Sequence, residues 1–134
     1  MGMDSFYSPA GDPKTDLRIQ KVWNQLTGNS RGSLQVVDVA QGRTLPVSKA
    51  AKGVAMMSFK ELCDEARGSP DYQALGKNFS TLILRKVPQQ SMTRRDWMRR
   101  FILLIDTLYY QHRNVVIEAD VDLDHLFDVD DNAQ

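Results

Sequence analysis

Cysteine is almost missing from this sequence. Cys63 is the single thiol in 134 residues, so no intrachain disulfide can form, and a reducing or neutral compartment follows more simply than secretion. Long apolar runs are missing as well. The stretch Phe101 to Leu108 is interrupted by Asp106 and falls far short of the roughly 20 residues that a bilayer requires, so no transmembrane segment is expected. Met1-Gly2-Met3-Asp4 has neither the basic start and apolar run of a signal peptide nor the Arg-rich, acid-poor face of a transit peptide. No Gly-x-x-x-x-Gly-Lys-Ser/Thr string occurs: Gly28, Gly32, Gly42, Gly53, Gly68 and Gly76 never lead into Lys-Ser or Lys-Thr in that register. Nor does an Asp-Glu pair close an apolar strand, where it would hold Mg²⁺ and activate water; Asp64-Glu65 falls in an expected short helix. P-loop nucleotide hydrolysis by this stretch alone is therefore excluded.

A net charge is absent too, but its parts are unevenly spread. Between Lys77 and Arg100 stand seven basic residues against Asp96 alone, whereas from Asp106 to Asp131 eight acids face Arg113 as the lone Lys or Arg. A basic patch followed by an acidic end suits a protein partner, or the end screens the patch. Nucleic acid is disfavoured, because Arg85, Lys86 and Arg94 lack the interleaved exposed aromatics of a stacking platform and overall neutrality opposes backbone binding.

With 42% apolar residues the chain can fill one modest core. Residues 1–14 are turn-rich, with Pro9, Gly11 and Pro13 closely spaced. A helix capped by Thr15 or Asp16 carries Ile19, Val22, Trp23 and Leu26 to a stop at Gly28. Leu34 to Val37 and Thr44 to Val47 read as a hairpin turning at Gln41-Gly42; Gly53 to Met57 can add a strand, and Pro46 argues for an edge. Ser58 and Glu61 form a capping box for a short helix reaching Glu65 or Ala66, and Ser69-Pro70 opens another whose stripe is Tyr72, Leu75 and Phe79. Thr81 to Leu84 is a strand. A helix capped by Thr93 follows, with Trp97, Phe101, Leu104, Ile105 and Leu108 on one face, and then a strand from Asn114 to Ile117. Strand, helix and strand make a βαβ unit with the two strands parallel. The expectation is an α/β fold: a small mixed sheet with an N-terminal helix and hairpin, plus a βαβ unit around a long helix. It divides into a turn-rich segment 1–14, a single domain 15–127 and an acidic tail 128–134.

Five pieces stand in an order that resembles a known family. They are Ser8-Pro9-Ala10-Gly11, Gly42-Arg43, Phe59-Lys60-Glu61-Leu62-Cys63, Asp71-Tyr72 with Phe79 beyond, and the run from Arg99 through Arg100, Phe101 and Asp106 to Tyr109. Residues about 6 to 127 resemble the portion of a ZapE-like (AFG-type) AAA+ ATPase that follows its sensor-one region. The resemblance implies a family that couples ATP hydrolysis to membrane-associated protein quality control in mitochondria and to cell-division control in bacteria. It implies a place in the mitochondrial matrix or at the inner-membrane periphery in a eukaryote, and in the cytoplasm of a bacterium. ATP and Mg²⁺ enter with an upstream nucleotide domain and not with this chain. Departures occur at Ala66 to Pro70 and at Asp96-Trp97-Met98, beside elements that would face the rest of an ATPase.

The candidate partner-binding surface is Arg94, Arg95, Trp97, Arg99 and Arg100. Arginines crowding a helix start oppose the helix dipole, and an anion, a phosphate, an acidic partner or pairing with the acidic tail would offset that cost. Asp106, in an otherwise apolar helix, should find a donor if buried. Cys63 reads as a small core residue rather than a nucleophile. Asp120, Asp122, Asp124 and His125 only half match a calcium loop, since His125 stands where the turn glycine belongs, and no metal is expected. The function expected is a non-catalytic structural or protein-interaction module of a ZapE-like ATPase within a larger assembly; the alternative is a fragment or subunit of an ATP-hydrolysing protein whose P-loop lies elsewhere.

Overall fold

A computed structural model describes residues 5–127. The acidic tail expected at 128–134 lies outside them. The chain forms strand β1 (Phe6–Tyr7), helix α1 (Pro13–Thr27), β2 (Ser33–Asp38), β3 (Thr44–Ala51), β4 (Val54–Ser58), a π-helical turn (Lys60–Asp64), α2 (Ser69–Asn78), β5 (Thr81–Val87), α3 (Arg95–Tyr110) and β6 (Asn114–Ala119). All strands join one six-stranded sheet in the order β1-β6-β5-β4-β3-β2. The fold is mixed α/β, as its sequence pattern implied.

The β-α-β expectation holds and extends. β5 and β6 are parallel, with Leu82 opposite Val115 and Leu84 opposite Ile117, and the run through α3 joins them. β4 is also parallel to β5, so α2 serves a second crossover. Because β4 is antiparallel to β3 on its other side, the expected hairpin and the parallel unit share one sheet. Alternation of side chains then fixes two cores. Leu82, Leu84, Val115 and Ile117 face α2 and α3, where they meet Tyr72, Leu75, Phe101, Leu104 and Leu108. Ile83 and Val116 face the other way and meet Ile19 and Trp23 of α1. Burying each of the large α3 side chains contributes roughly 1.5–3 kcal/mol, which is why the stripe and not local propensity sets that helix.

Several boundaries differ from the sequence pattern. Helix α1 starts earlier, because Asp12 accepts from the Lys14 amide at 2.8 Å and Pro13 takes the first helical position; Gly28, at φ 66°, ends it in the left-handed conformation. The capping box of Ser58 and Glu61 forms, with both reciprocal bonds at 2.8 and 3.1 Å, yet it opens a π turn rather than an α-helix. Gly68, not Ser69, is the N-cap of α2. Ser91 rather than Thr93 caps the approach to α3, accepting from Thr93 at 3.1 Å ahead of a 3₁₀ turn over Met92–Arg94. Pro46 sits in an interior strand, but in the part of β3 that outruns its ladder to β4, which begins only at Lys49. The nominally turn-rich start also contributes β1, parallel to β6.

Candidate functional site

Three of the five family-resembling pieces, Phe59 to Cys63, Asp71-Tyr72 and the run that starts at Arg99, meet at the π turn at the carboxyl end of β4. A π turn leaves its last carbonyls without helical donors, and Glu65 leaves it in extended conformation after bonding Lys60 O at 3.2 Å. Side chains from two helices supply the missing donors. The Tyr72 hydroxyl donates to Leu62 O at 2.6 Å, and Arg100 Nη1 donates to Cys63 O at 3.1 Å. Trp97 Nε1 donates to Asp64 Oδ1 at 2.8 Å. Phe59 packs edge-on against both Trp97 and Phe101, and Phe101 stacks with Phe127.

Asp71 ties this corner to the hairpin. It is 1% exposed, accepts from the Gly68 amide at 3.0 Å and from Arg43 at 2.8 Å, and has Arg67 at 3.6 Å. Gly42 and Arg43 thus do more than turn the chain between β2 and β3: Arg43 reaches across to the first turn of α2. Cys63 is fully buried and desolvation pushes its thiol up to about 12, so it behaves as the core residue its sequence context suggested. Burial raises the Tyr72 phenol as well, with the neighbouring Cys63 adding to the effect. Pro9 and Gly11 lie apart from this corner, before α1, where the Ala10 amide between them donates to Ala119 O at 2.8 Å.

The five candidate partner-binding residues divide into two groups. Arg94 stacks on the Trp97 ring at 3.7 Å and pairs with Asp96 at 3.1 Å and Asp64 at 3.4 Å; the bond to Asp96 raises the guanidinium pKa and lowers that of the carboxyl. Arg100 lies 3.7 Å from Asp96 and is engaged on Cys63. Arg94, Trp97 and Arg100 are therefore engaged by contacts within the fold, Arg94 while still 42% exposed. Arg95 and Arg99 are exposed and have no ion pair among the described residues. Asp106 is not a buried carboxylate in need of a donor; it is exposed and lines an open groove of about 1060 Å³ between α2, α3 and the β2–β3 connection. Tyr109 is exposed as well, at 74%.

Sequence reasoning missed a second buried ionic group. Arg85 makes two bonds of 2.9 Å to Glu118, itself 0% exposed, and one of 2.7 Å to Asp16. A bulge between Leu84 and Val87 sets two residues of β5 against one of β6, and Lys86, at φ 61°, turns its amide to Glu118 Oε1 at 3.3 Å. The available signal was a carboxylate inside the apolar run Val115 to Ala119, opposite the one basic pair in a neighbouring strand. Beside the bulge lies a recess of about 360 Å³ lined by Ser58, Phe59, Lys60, Asp64, Lys86, Pro88 and Trp97. Among the described residues no group of three His, Cys, Asp or Glu side chains is placed to hold a metal, and no helix is long and apolar enough to cross a membrane.

Fold and site together define an α/β module in which a short family-type signature holds a π turn between two crossover helices. Comparison with known sequences narrows this. The sequence model of the AFG1-like ATPases matches residues 3–134, and the chain belongs to that family. It is 32% identical over 92% of its length to the cell division protein ZapE of Escherichia coli K12, covering 32% of that protein. It is 41% identical over 66% of its length to lactation elevated protein 1 homolog B of Danio rerio, covering 18% of that protein. An uncharacterised protein of Schizosaccharomyces pombe is 26% identical over 92% of the chain, which spans 27% of it. The chain thus spans about a third or less of the length of these relatives. No solved structure matches it.

Proposed function

We propose that this chain is a structural and protein-interaction module of the AFG1-like ATPase architecture, one that leaves ATP hydrolysis to parts outside it and works within a larger assembly. The observation that supports this most is the use made of the signature. Arg43, Glu61, Asp71, Tyr72 and Arg100 direct their polar groups into the chain's own turns and caps instead of an open reaction cleft. The lack of a phosphate-cradling Gly-Lys-Ser/Thr string in these residues supports the same reading. The surface offered to a partner is Arg95 and Arg99 on the first turns of α3, where an acidic partner offsets the unfavourable meeting of cations with a helix N-terminus.

Calorimetric titration with magnesium-ATP tests the first part: no binding heat is expected, and one saturable micromolar site would overturn it. A pull-down from the native compartment comparing wild type with the Arg95→Glu, Arg99→Glu double variant tests the second. Loss of a partner from the variant is expected, and identical partner sets would end the docking assignment.

A second reading is favoured by coverage of only 18–32% of the relatives' length. Here the chain is one portion of an ATP-hydrolysing AAA+ protein, with ATP and Mg²⁺ held by an upstream nucleotide domain. It would act in the mitochondrial matrix or at the inner-membrane periphery of a eukaryote, or in the cytoplasm of a bacterium. An upstream Walker A sequence in the same open reading frame is the observation that selects it.

A further inference from the structure

The recess beside the β5 bulge is largely apolar within, with one acid in its wall and two lysines beside it. Phe59, Pro88 and Trp97 are apolar; Asp64, also in the wall, is already engaged by Trp97 Nε1 at 2.8 Å and Arg94 at 3.4 Å, while Lys60 and Lys86 are exposed and have no ion pair among the described residues. Nearby Arg94 and Arg100 differ, since Asp64 and Asp96 already lie against them. Lys86 is also held where it stands. A non-glycine residue at φ 61° is uncommon, and the bond from its amide to buried Glu118 keeps it in that conformation. Two exposed lysines beside a small, largely apolar recess, one of them on a fixed backbone, suit a carboxylate on a short peptide.

The chain's course points to which peptide. The loop that lines the recess with Pro88 continues to Gln89 and Gln90, which donate to His125 O and Leu126 O, each at 2.8 Å. Phe127 stacks on Phe101 at 6.0 Å, and Phe101 meets Phe59, a wall of the recess, at 5.8 Å. The sequence then reads Asp128-Val129-Asp130-Asp131. Four extended residues reach about 13 Å from Phe127, and the ring contacts place Phe127 and the recess wall in one cluster. A segment tethered this closely also has an effective concentration in the millimolar range, roughly, which favours it over a free acidic peptide of equal intrinsic affinity.

We propose that the Lys60 and Lys86 recess is a carboxylate-binding site whose occupant is the acidic stretch following Phe127 in the same chain, so that an outside acidic segment enters only by displacing it. The inference does not depend on whether the chain hydrolyses ATP.

A nitroxide placed at Asn132→Cys in the otherwise intact 134-residue chain provides the test, since buried Cys63 resists labelling. Loss of the Trp97 indole NH signal and of the Lys60 and Lys86 amide signals is expected, with the Trp23 indole, on the opposite face of the sheet, retained as a control. Signal returns in the Lys60→Glu, Lys86→Glu variant. Three results would overturn the assignment: no loss, equal loss at both tryptophans, or loss indifferent to the charge reversal. Mixing isotope-labelled chain lacking the nitroxide with unlabelled, nitroxide-bearing chain separates the sources. Signal loss in that mixture assigns the occupant to a second molecule and refutes occupancy in cis.

Discussion

Arg43 and Asp71 meet at 2.8 Å across 28 positions of sequence, the arginine half exposed and the carboxylate at 1% exposure. The pair fastens the turn after β2 to the first turn of α2. Arg43→Ala leaves Asp71 with the longer contact to Arg67 and its bond to the Gly68 amide, and a loss of about 1–2 kcal/mol is expected after discounting for the solvent around Arg43. Urea unfolding measures it. A change within error would show that Arg67 and the cap satisfy Asp71 unaided.

Arg85 and Glu118 should behave differently, since Glu118 has no exposure at all. Arg85→Met strands a buried carboxylate, and a loss of roughly 3–5 kcal/mol is expected. Adding Glu118→Gln should recover much of that loss, because the neutral amide no longer needs a cation. Chemical denaturation of the single and double variants checks this, and equal losses in both would remove charge as the cause.

The buried thiol makes stability depend on alkaline pH. Folding raises the Cys63 thiol from its ordinary 9.0 to about 12, so between those values the unfolded chain ionises first and releases protons. The contribution is fully present below pH 9 and is lost as pH rises toward 12, with Tyr72 acting in the same direction above 10. Unfolding midpoints measured from pH 8 upward should fall more gently in Cys63→Ala, once both curves are normalised to pH 8. Parallel curves would contradict the assignment.

Arginines of α3 should separate by role. Arg95→Glu with Arg99→Glu is expected to leave the thermal melt nearly unchanged, within about 0.5 kcal/mol for exposed positions, whereas Arg100→Ala removes a donor from the Cys63 carbonyl and should lower it. If the Arg95 and Arg99 reversal destabilised the chain as much as Arg100→Ala, those residues would belong to the architecture and not to a docking surface.

Much of the fold was legible because periodicity carries it. The stripe from Trp97 to Leu108, the parallel pairing of Thr81–Leu84 with Asn114–Ile117 and the Ser58/Glu61 box depend on neighbours in sequence or on strong apolar patterns. What escaped were long-range polar choices. Nothing near Arg85 names Glu118 as its partner, and nothing near Cys63 says that Arg100 will serve its carbonyl. Arg94 is engaged within the chain because Asp64 reaches it from a π turn that a helical pattern alone does not specify. Asp106 was misplaced for the converse reason: apolar neighbours in sequence point around the helix, so Ile102 and Leu103 are exposed on the same element.

The sheet order carries a consequence for how the chain assembles. From β2 to β6 each strand lies beside its predecessor in sequence, joined by a hairpin or a single helical crossover, so these pairings close far shorter loops than one between the two ends of the chain. β1 is the exception: Phe6 pairs with Ile117, near the opposite end of the described chain. That ladder is only two residues long and closes the largest loop in the molecule. It should form after the rest of the sheet and open before it, so the earliest hydrogen exchange within the sheet belongs to the β1–β6 seam, while the β4–β5 amides hold out until global unfolding.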